Sequence, residues 1–122
     1  MIFTGYQFGA AYQELQSHCA LYIQATEVGG THPALIEAMA YGNCVIANGT
    51  PENREVLADA GALYGKNDFN ELSSLMQKLL NDAPERAALG ERARARAHER
   101  YHWDAITDQY ERLLRAYARP RK

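Results

Sequence analysis

The stretch Glu27-Val28-Gly29-Gly30-Thr31-His32-Pro33-Ala34-Leu35-Ile36-Glu37-Ala38-Met39-Ala40-Tyr41-Gly42, followed closely by Cys44-Val45-Ile46-Ala47, decides the fold. Before it, Leu21-Tyr22-Ile23-Gln24 reads as a strand and residues 25–32 as a loop. Pro33 suits the first position of a helix, where its fixed φ is already helical and its missing N–H would have no partner. Gly42 suits the left-handed position just past a helix end, so the helix runs over 33–41. Cys44 to Ala47 is a continuous apolar run between Asn43 and Asn48-Gly49, the pattern of a strand buried on both faces. Strand, glycine loop, helix and strand on short connections make a βαβ unit of a parallel α/β sheet.

The same alternation continues on either side. Ile2-Phe3-Thr4 is a short strand candidate stopped at Gly5. Residues 10–17 read as a helix with Tyr12 and Leu15 on one side, residues 51–58 as another, and Ala62-Leu63-Tyr64 as a last short strand. The remainder is helical. Phe69, Leu72, Leu75, Met76, Leu79 and Leu80 fall at helical spacing behind Asp68, and residues 84–100 are rich in Ala and Arg. Trp103, Ile106, Tyr110, Leu113, Leu114 and Tyr117 form a closing apolar stripe. The expected fold class is α/β, with about four short parallel strands, helices on both sides and a helical C-terminal region. Residues 1–81 form the sheet region and residues 82–122 pack on it as helices, in one domain. Tyr64 and Trp103 are expected in the core.

Composition sets outer limits. The chain has 122 residues, 47% apolar and 23% charged, which excludes a disordered or collagenous chain. That length supports one core and leaves no room for two full nucleotide-binding lobes. The net charge of −2 conceals an asymmetry: residues 1–81 hold three bases and eight acids, residues 82–122 ten bases and seven acids. No apolar run approaches the roughly 20 residues that span a bilayer. The opening Met1 to Tyr6 lacks a basic region and a long apolar run, so no leader is expected. Cys19 and Cys44 lie far apart and read as small buried residues of a reduced, cytoplasmic chain. The four histidines do not supply zinc-finger spacing, so no metal site is expected. Nucleic acid is not an expected partner, because the basic region has no interleaved aromatic platform.

Chemistry concentrates in the quoted stretch. Ligands of open α/β sheets bind outside the carboxyl ends of the strands, where this loop lies. Gly29 and Gly30 let the backbone approach a ligand and aim N–H groups at it. The helix start at Pro33 adds free amides and the positive end of a dipole, which favour phosphate. Glu37 lies about one turn inside the helix and leans back toward the same mouth. A carboxylate there accepts two hydrogen bonds, which suits a vicinal diol such as a ribose. The plain alternatives are a simple turn at Gly29-Gly30 and a dipole partner at Glu37. The apolar neighbours Ile36, Ala38 and Met39 make a merely solubilising charge less expected.

The run Gly29 to Gly42, with Cys44-Val45-Ile46-Ala47 and Pro51-Glu52-Asn53-Arg54-Glu55 after it, resembles the donor-binding domain of group 1 glycosyltransferases. Ala60-Gly61-Ala62-Leu63-Tyr64 and Tyr101-His102-Trp103-Asp104 extend the likeness over the whole chain. The resemblance implies a partial Rossmann-like sheet from a two-lobed, GT-B type enzyme. Such an enzyme takes a sugar from a nucleotide-diphosphate donor with retention and passes it to a saccharide or lipid-linked acceptor. Val28-Gly29-Gly30-Thr31-His32-Pro33 is similar to a bacterial polysaccharide, rhamnosyltransferase-like branch. By this likeness Glu37 binds the ribose, and the amides of Thr31, His32, Pro33, Ala34 and Leu35 face the diphosphate. No metal and no other cofactor is required, and the nucleotide-sugar is a substrate.

The chain departs from the pattern in two places. The first glutamate of the family motif falls on Gly29, so Glu27 or the amides of Gly29 and Gly30 would meet the donor sugar, with the amides favoured. No Lys or Arg precedes Arg54, whereas the family holds its diphosphate with an Arg and a Lys early in this domain. The chain therefore reads as a piece of an enzyme, inactive without its N-terminal acceptor lobe; the alternative is a non-catalytic nucleotide-binding or interaction module. Strand 2–4 would lack its native neighbours, with the edge of strand 21–24 exposed, and repair is expected by those two pairing or by a second copy of the chain. In the tail, the apolar stripe reads as core and the arginines as a solvated face. The sharper reading is a peripheral contact with anionic lipid at the inner membrane face.

Overall fold

In a computed structural model, which describes residues 1–118, the centre of the molecule is a strand with every residue buried, Val45–Asn48 (β2). It is flanked on both edges by parallel partners, Tyr22–Gln24 (β1) and Ala62–Tyr64 (β3), in the order β1-β2-β3. Tyr22 faces Val45, Gln24 faces Ala47, Ile46 faces Ala62 and Asn48 faces Tyr64. Helices occupy Gly9–His18 (α1), Pro33–Ala40 (α2), Pro51–Leu57 (α3), Phe69–Leu80 (α4), Ala83–Tyr101 (α5) and Trp103–Tyr117 (α6).

The period-two alternation of β2 divides the core. Val45 and Ala47 meet Leu35, Ala38 and Met39 of α2, Val56 and Leu57 of α3, and Ala93 and Ala97 of α5. Cys44 and Ile46 point the other way, to Tyr64, Leu79 of α4 and Leu89 of α5. The α/β reading with helices on both sides of a parallel sheet therefore holds, and a family of short local signals sets its element ends. Gly42 takes φ +77 just beyond α2. The Thr50 side chain accepts from the Asn53 N–H to start α3, and Asp68 accepts from Asn70 and Glu71 to start α4.

Three arginines of α5 hold the ends of other helices, a role that the solvated-face reading did not anticipate. Arg86 Nη1 donates to the carbonyls of Leu79 and Leu80 at 2.6 and 2.7 Å, ending α4. Arg94 Nη2 donates to the Tyr41 carbonyl at 3.1 Å, just beyond α2. Arg96 donates to Val56 and Glu55 at 2.6 and 2.7 Å, at the end of α3. Each satisfies terminal carbonyls that a helix cannot pair internally, and places a cation at the negative end of a dipole.

Several expectations are corrected. The sheet has three strands rather than four, because residues 2–4 are not a strand: Ile2 and Phe3 are 90% and 88% exposed. Left-handed turns at Gly5 and Gly9 follow them, and β1 pairs with β2 alone among the described residues, so the expected pairing of 2–4 with β1 does not form. In α1 it is Gln16 that is buried, while Leu15 is exposed. Tyr64 is core as expected, but Trp103 is 80% exposed and no residue of α6 is buried. An amphipathic stripe reports that a helix needs a partner, and among the described residues α6 packs mainly on α5, which leaves most of the stripe uncovered. The expected segment 82–122 includes residues 119–122, which lie outside the described residues. Among the described residues no helix is long and apolar enough to cross a membrane.

Candidate functional site

The loops that follow the three strands are tied together by asparagines. Asn48, the wholly buried last residue of β2, donates from Nδ2 to Asn67 Oδ1 at 3.0 Å and to the Thr26 carbonyl at 3.4 Å. Its Oδ1 accepts from the Asn67 N–H at 3.0 Å, and its carbonyl accepts from Asn53 Nδ2 at 3.1 Å. The loops after β1 and β3 are thus fixed to one buried side chain at the carboxyl edge of the sheet, and α3 is tied to the carbonyl of the same residue. Neighbouring Gly49 is required there, since a Cβ would sit 2.6 Å from the Tyr64 carbonyl oxygen.

His32 orders the loop between β1 and α2. The Tyr22 hydroxyl donates to Gln24 Oε1 at 3.0 Å, Gln24 Nε2 donates to Thr26 Oγ1 at 2.8 Å, and Thr26 Oγ1 lies 3.1 Å from His32 Nε2. Having accepted from Gln24, the Thr26 hydroxyl can give its proton to His32 Nε2, which places the proton of the neutral ring on Nδ1. The ring lies across Gly29, where a Cβ would meet Cε1 at 2.7 Å and where φ is +142. Glycine alone fits that position without strain.

Unpaired backbone donors precede and open α2. The amides of Gly29, Gly30, Thr31, His32 and Ala34 have no hydrogen-bond partner among the described residues, and Pro33 carries none. The Leu35 amide is committed to the His32 carbonyl at 3.0 Å, and its side chain is wholly buried in the core. Glu37, one turn on, is exposed, and its Oε2 accepts from the Tyr12 hydroxyl at 2.7 Å. That hydrogen bond, more than burial, holds the Tyr12 phenol above its ordinary pKa. Thr31, Pro33, Ile36 and Glu37 form one side of a cleft of 470 Å³, with Tyr101, Trp103 and Ile106 opposite.

Glu27 stands at the outer side of the loop, 3.8 Å from Lys66 Nζ. Sequence order places Lys66 far from the glycine loop, yet strand ends of a parallel sheet share one edge, and Lys66 follows β3 directly. That topological fact was the available signal for a base near the loop. No local spacing signals Tyr12, twenty-five positions before Glu37. The arrangement offers free amides, a carboxylate whose Oε1 is unpaired among the described residues and, beside Glu27, the Lys66 cation. Those groups can receive a ligand with phosphate and hydroxyl groups.

The family of glycosyl transferases group 1 matches residues 1–96, which include all three strands and the whole glycine loop. The chain belongs to the group 1 glycosyltransferases. This glycosyltransferase chain is 32% identical over 110 residues to a phosphatidyl-myo-inositol mannosyltransferase of Mycolicibacterium smegmatis, a match over 88% of the chain and 27% of that protein. It superposes on Anabaena HepE in complex with UDP with TM-score 0.81, at 22% identity, over 89% of the chain and 31% of HepE. It also superposes on sucrose-phosphate synthase from Thermosynechococcus elongatus with TM-score 0.72, at 27% identity, over 80% of the chain and 25% of that enzyme. The likeness to HepE shows the Rossmann-like fold alone. The chain spans about a quarter to a third of the length of these relatives.

Proposed function

We propose that this chain binds the nucleoside-diphosphate part of a sugar donor, as the donor side of a glycosyltransferase that passes the sugar to a saccharide or lipid-linked acceptor with retention. The observation that carries the reading is the placement of Glu37. Its carboxylate stands one turn inside α2, on a cleft that Thr31 and Pro33 also line, and the amides of Gly29 to His32 and of Ala34 have no partner among the described residues. HepE, of the same fold, is known with UDP and with UDP-glucose bound, which supports a nucleotide ligand for this site.

In this reading the diphosphate sits on the α2 start, where the amides of Thr31, His32 and Ala34 and the helix dipole take up negative charge as the nucleotide departs. Glu37 Oε1 accepts from the ribose. Gly29 and Gly30 face the donor sugar, with Glu27 beside them, and Lys66 supplies part of the positive charge that the sequence lacks before Arg54. No divalent metal enters this scheme. The exposed apolar stripe of α6 and the open edge of β1 are surfaces for an acceptor lobe or a second copy, and the chain alone transfers no sugar. The rhamnosyltransferase-like narrowing gains nothing from the relatives described, one of which is named a mannosyltransferase.

Calorimetry with UDP, GDP and ADP tests the reading. At least one should bind the wild-type chain, equally with and without EDTA. Loss of one charge-assisted hydrogen bond in Glu37→Gln should weaken it about tenfold. Absence of binding by all three would remove the nucleotide reading, and equal binding by the variant would remove Glu37 from the site.

A further inference from the structure

The Glu37 carboxylate is held from a second helix. Tyr12, on α1, donates its phenolic proton to Oε2 at 2.7 Å. Gln16, one turn further along α1, donates from Nε2 to the same phenolic oxygen at 2.9 Å. Gln16 is in turn 5% exposed and held by Asn43, whose Nδ2 reaches the Gln16 carbonyl at 2.8 Å and its Oε1 at 3.3 Å. Asn43 is itself buried, in the turn between α2 and β2.

The direction of this chain follows from its chemistry. The Asn43 amide nitrogen is a donor only, so Gln16 must present its oxygen to Asn43 and its nitrogen to Tyr12. The phenolic oxygen then accepts from Gln16 and has its single proton left for Glu37. Every link runs from a buried turn toward one carboxylate oxygen at the surface. A helix that needed only packing at this face would bury Leu15, which is 52% exposed, rather than a glutamine. Glu37 has no salt-bridge cation among the described residues, and its Oε1 makes no hydrogen bond among them, which leaves Tyr12 as the group that orients the carboxylate.

We propose that Tyr12 is a positioning residue for ribose recognition: by holding Oε2 it presents Oε1 of Glu37 to the nucleotide's hydroxyls. This rests on the reading of Glu37 as the ribose acceptor. Fixing the acceptor before the ligand arrives removes an ordering cost from binding, and that benefit exists only for a ligand that carries the hydroxyls.

The test compares UDP, GDP and ADP, each beside its 2′,3′-dideoxy form, on the full 122-residue chain. The wild type should prefer the ribose form about tenfold, and Tyr12→Phe should cut that preference to about threefold or less while remaining folded, with a modestly lower thermal midpoint because Gln16 Nε2 loses its acceptor. Gln16→Glu puts an acceptor where the donor was, draws the phenolic proton away from Glu37, and should cause the same loss. In a Glu37→Gln background neither change should alter the preference further. A full ribose preference retained in folded Tyr12→Phe or folded Gln16→Glu overturns the role of Tyr12 and leaves nucleotide binding intact. Absence of binding to the wild type overturns the nucleotide reading and this inference together.

Discussion

Gly90 of α5 rests directly on the carbonyl oxygen of Gly42, so a methyl group on Gly90 would overlap that oxygen. The contact lets α5 lie against the end of α2, where Arg94 also reaches the Tyr41 carbonyl. By helix propensity alone Gly90→Ala would stabilise α5 by about 1 kcal/mol. The tertiary contact reverses the sign, because backbone cannot yield as a side-chain tip can, and overpacking costs about 1–3 kcal/mol. A lower midpoint is expected in thermal unfolding followed by circular dichroism, and a higher one would show that the two helices can part freely.

Arg96 ties α5 to the end of α3 through two carbonyls forty and forty-one positions earlier. Arg96→Ala should lower stability by about 1–2 kcal/mol, the scale of hydrogen bonds from a charged group that is partly exposed. Lysine cannot span two carbonyls with a planar fork, so Arg96→Lys should recover little of the loss. Urea unfolding of the three proteins decides it, and full recovery by lysine would mean that charge alone matters.

Asn48 is expected to be the most sensitive polar position. Asn48→Ala removes the side-chain links to Thr26 and Asn67 from a wholly buried site. The loss should be about 2–3 kcal/mol. Hydrogen exchange should quicken together in the loops after β1 and β3, and quickening in one loop only would contradict their shared anchor.

Tyr64 offers the opposite case. Its ring is core at 1% exposure, yet its hydroxyl is buried without a partner among the described residues. Tyr64→Phe removes an unpaired polar group while keeping the packed ring, so a gain of about 1 kcal/mol is expected. A clear loss in denaturant unfolding would mean that the hydroxyl has a partner.

Burial pushes the Cys44 thiol up to about 11, and burial also raises the half-buried Cys19. A thiol kept protonated and covered does not react. Cys19 should therefore be modified first by a disulfide reagent near pH 8, and Cys44 only on unfolding. The folded state favours the neutral Cys44 thiol, so its contribution to stability is full below the ordinary thiol pKa and is lost as pH rises toward about 11. Equal rates for the two cysteines would contradict the burial of Cys44.

The amino-acid sequence by itself determined the elements that carry local signals. Pro33 and Pro51 open helices, Asp68 caps one, Gly42 closes another, and the unbroken apolar run at Cys44 to Ala47 becomes the central strand. These signals act within a turn or a strand's length, which is why they can be read along the chain. The glycine loop and the start of the helix that carries Glu37 were legible for the same reason. Only the tertiary structure decided what lies between distant positions: Tyr12 against Glu37, Lys66 against Glu27, Asn48 as the anchor of the loops after β1 and β3, and arginines of α5 on the ends of three other helices. It also decided that Trp103 is exposed and that residues 2–4 pair with nothing in the sheet. Periodicity states which face of a segment is apolar, but whether that face is covered depends on a neighbour that no local pattern names.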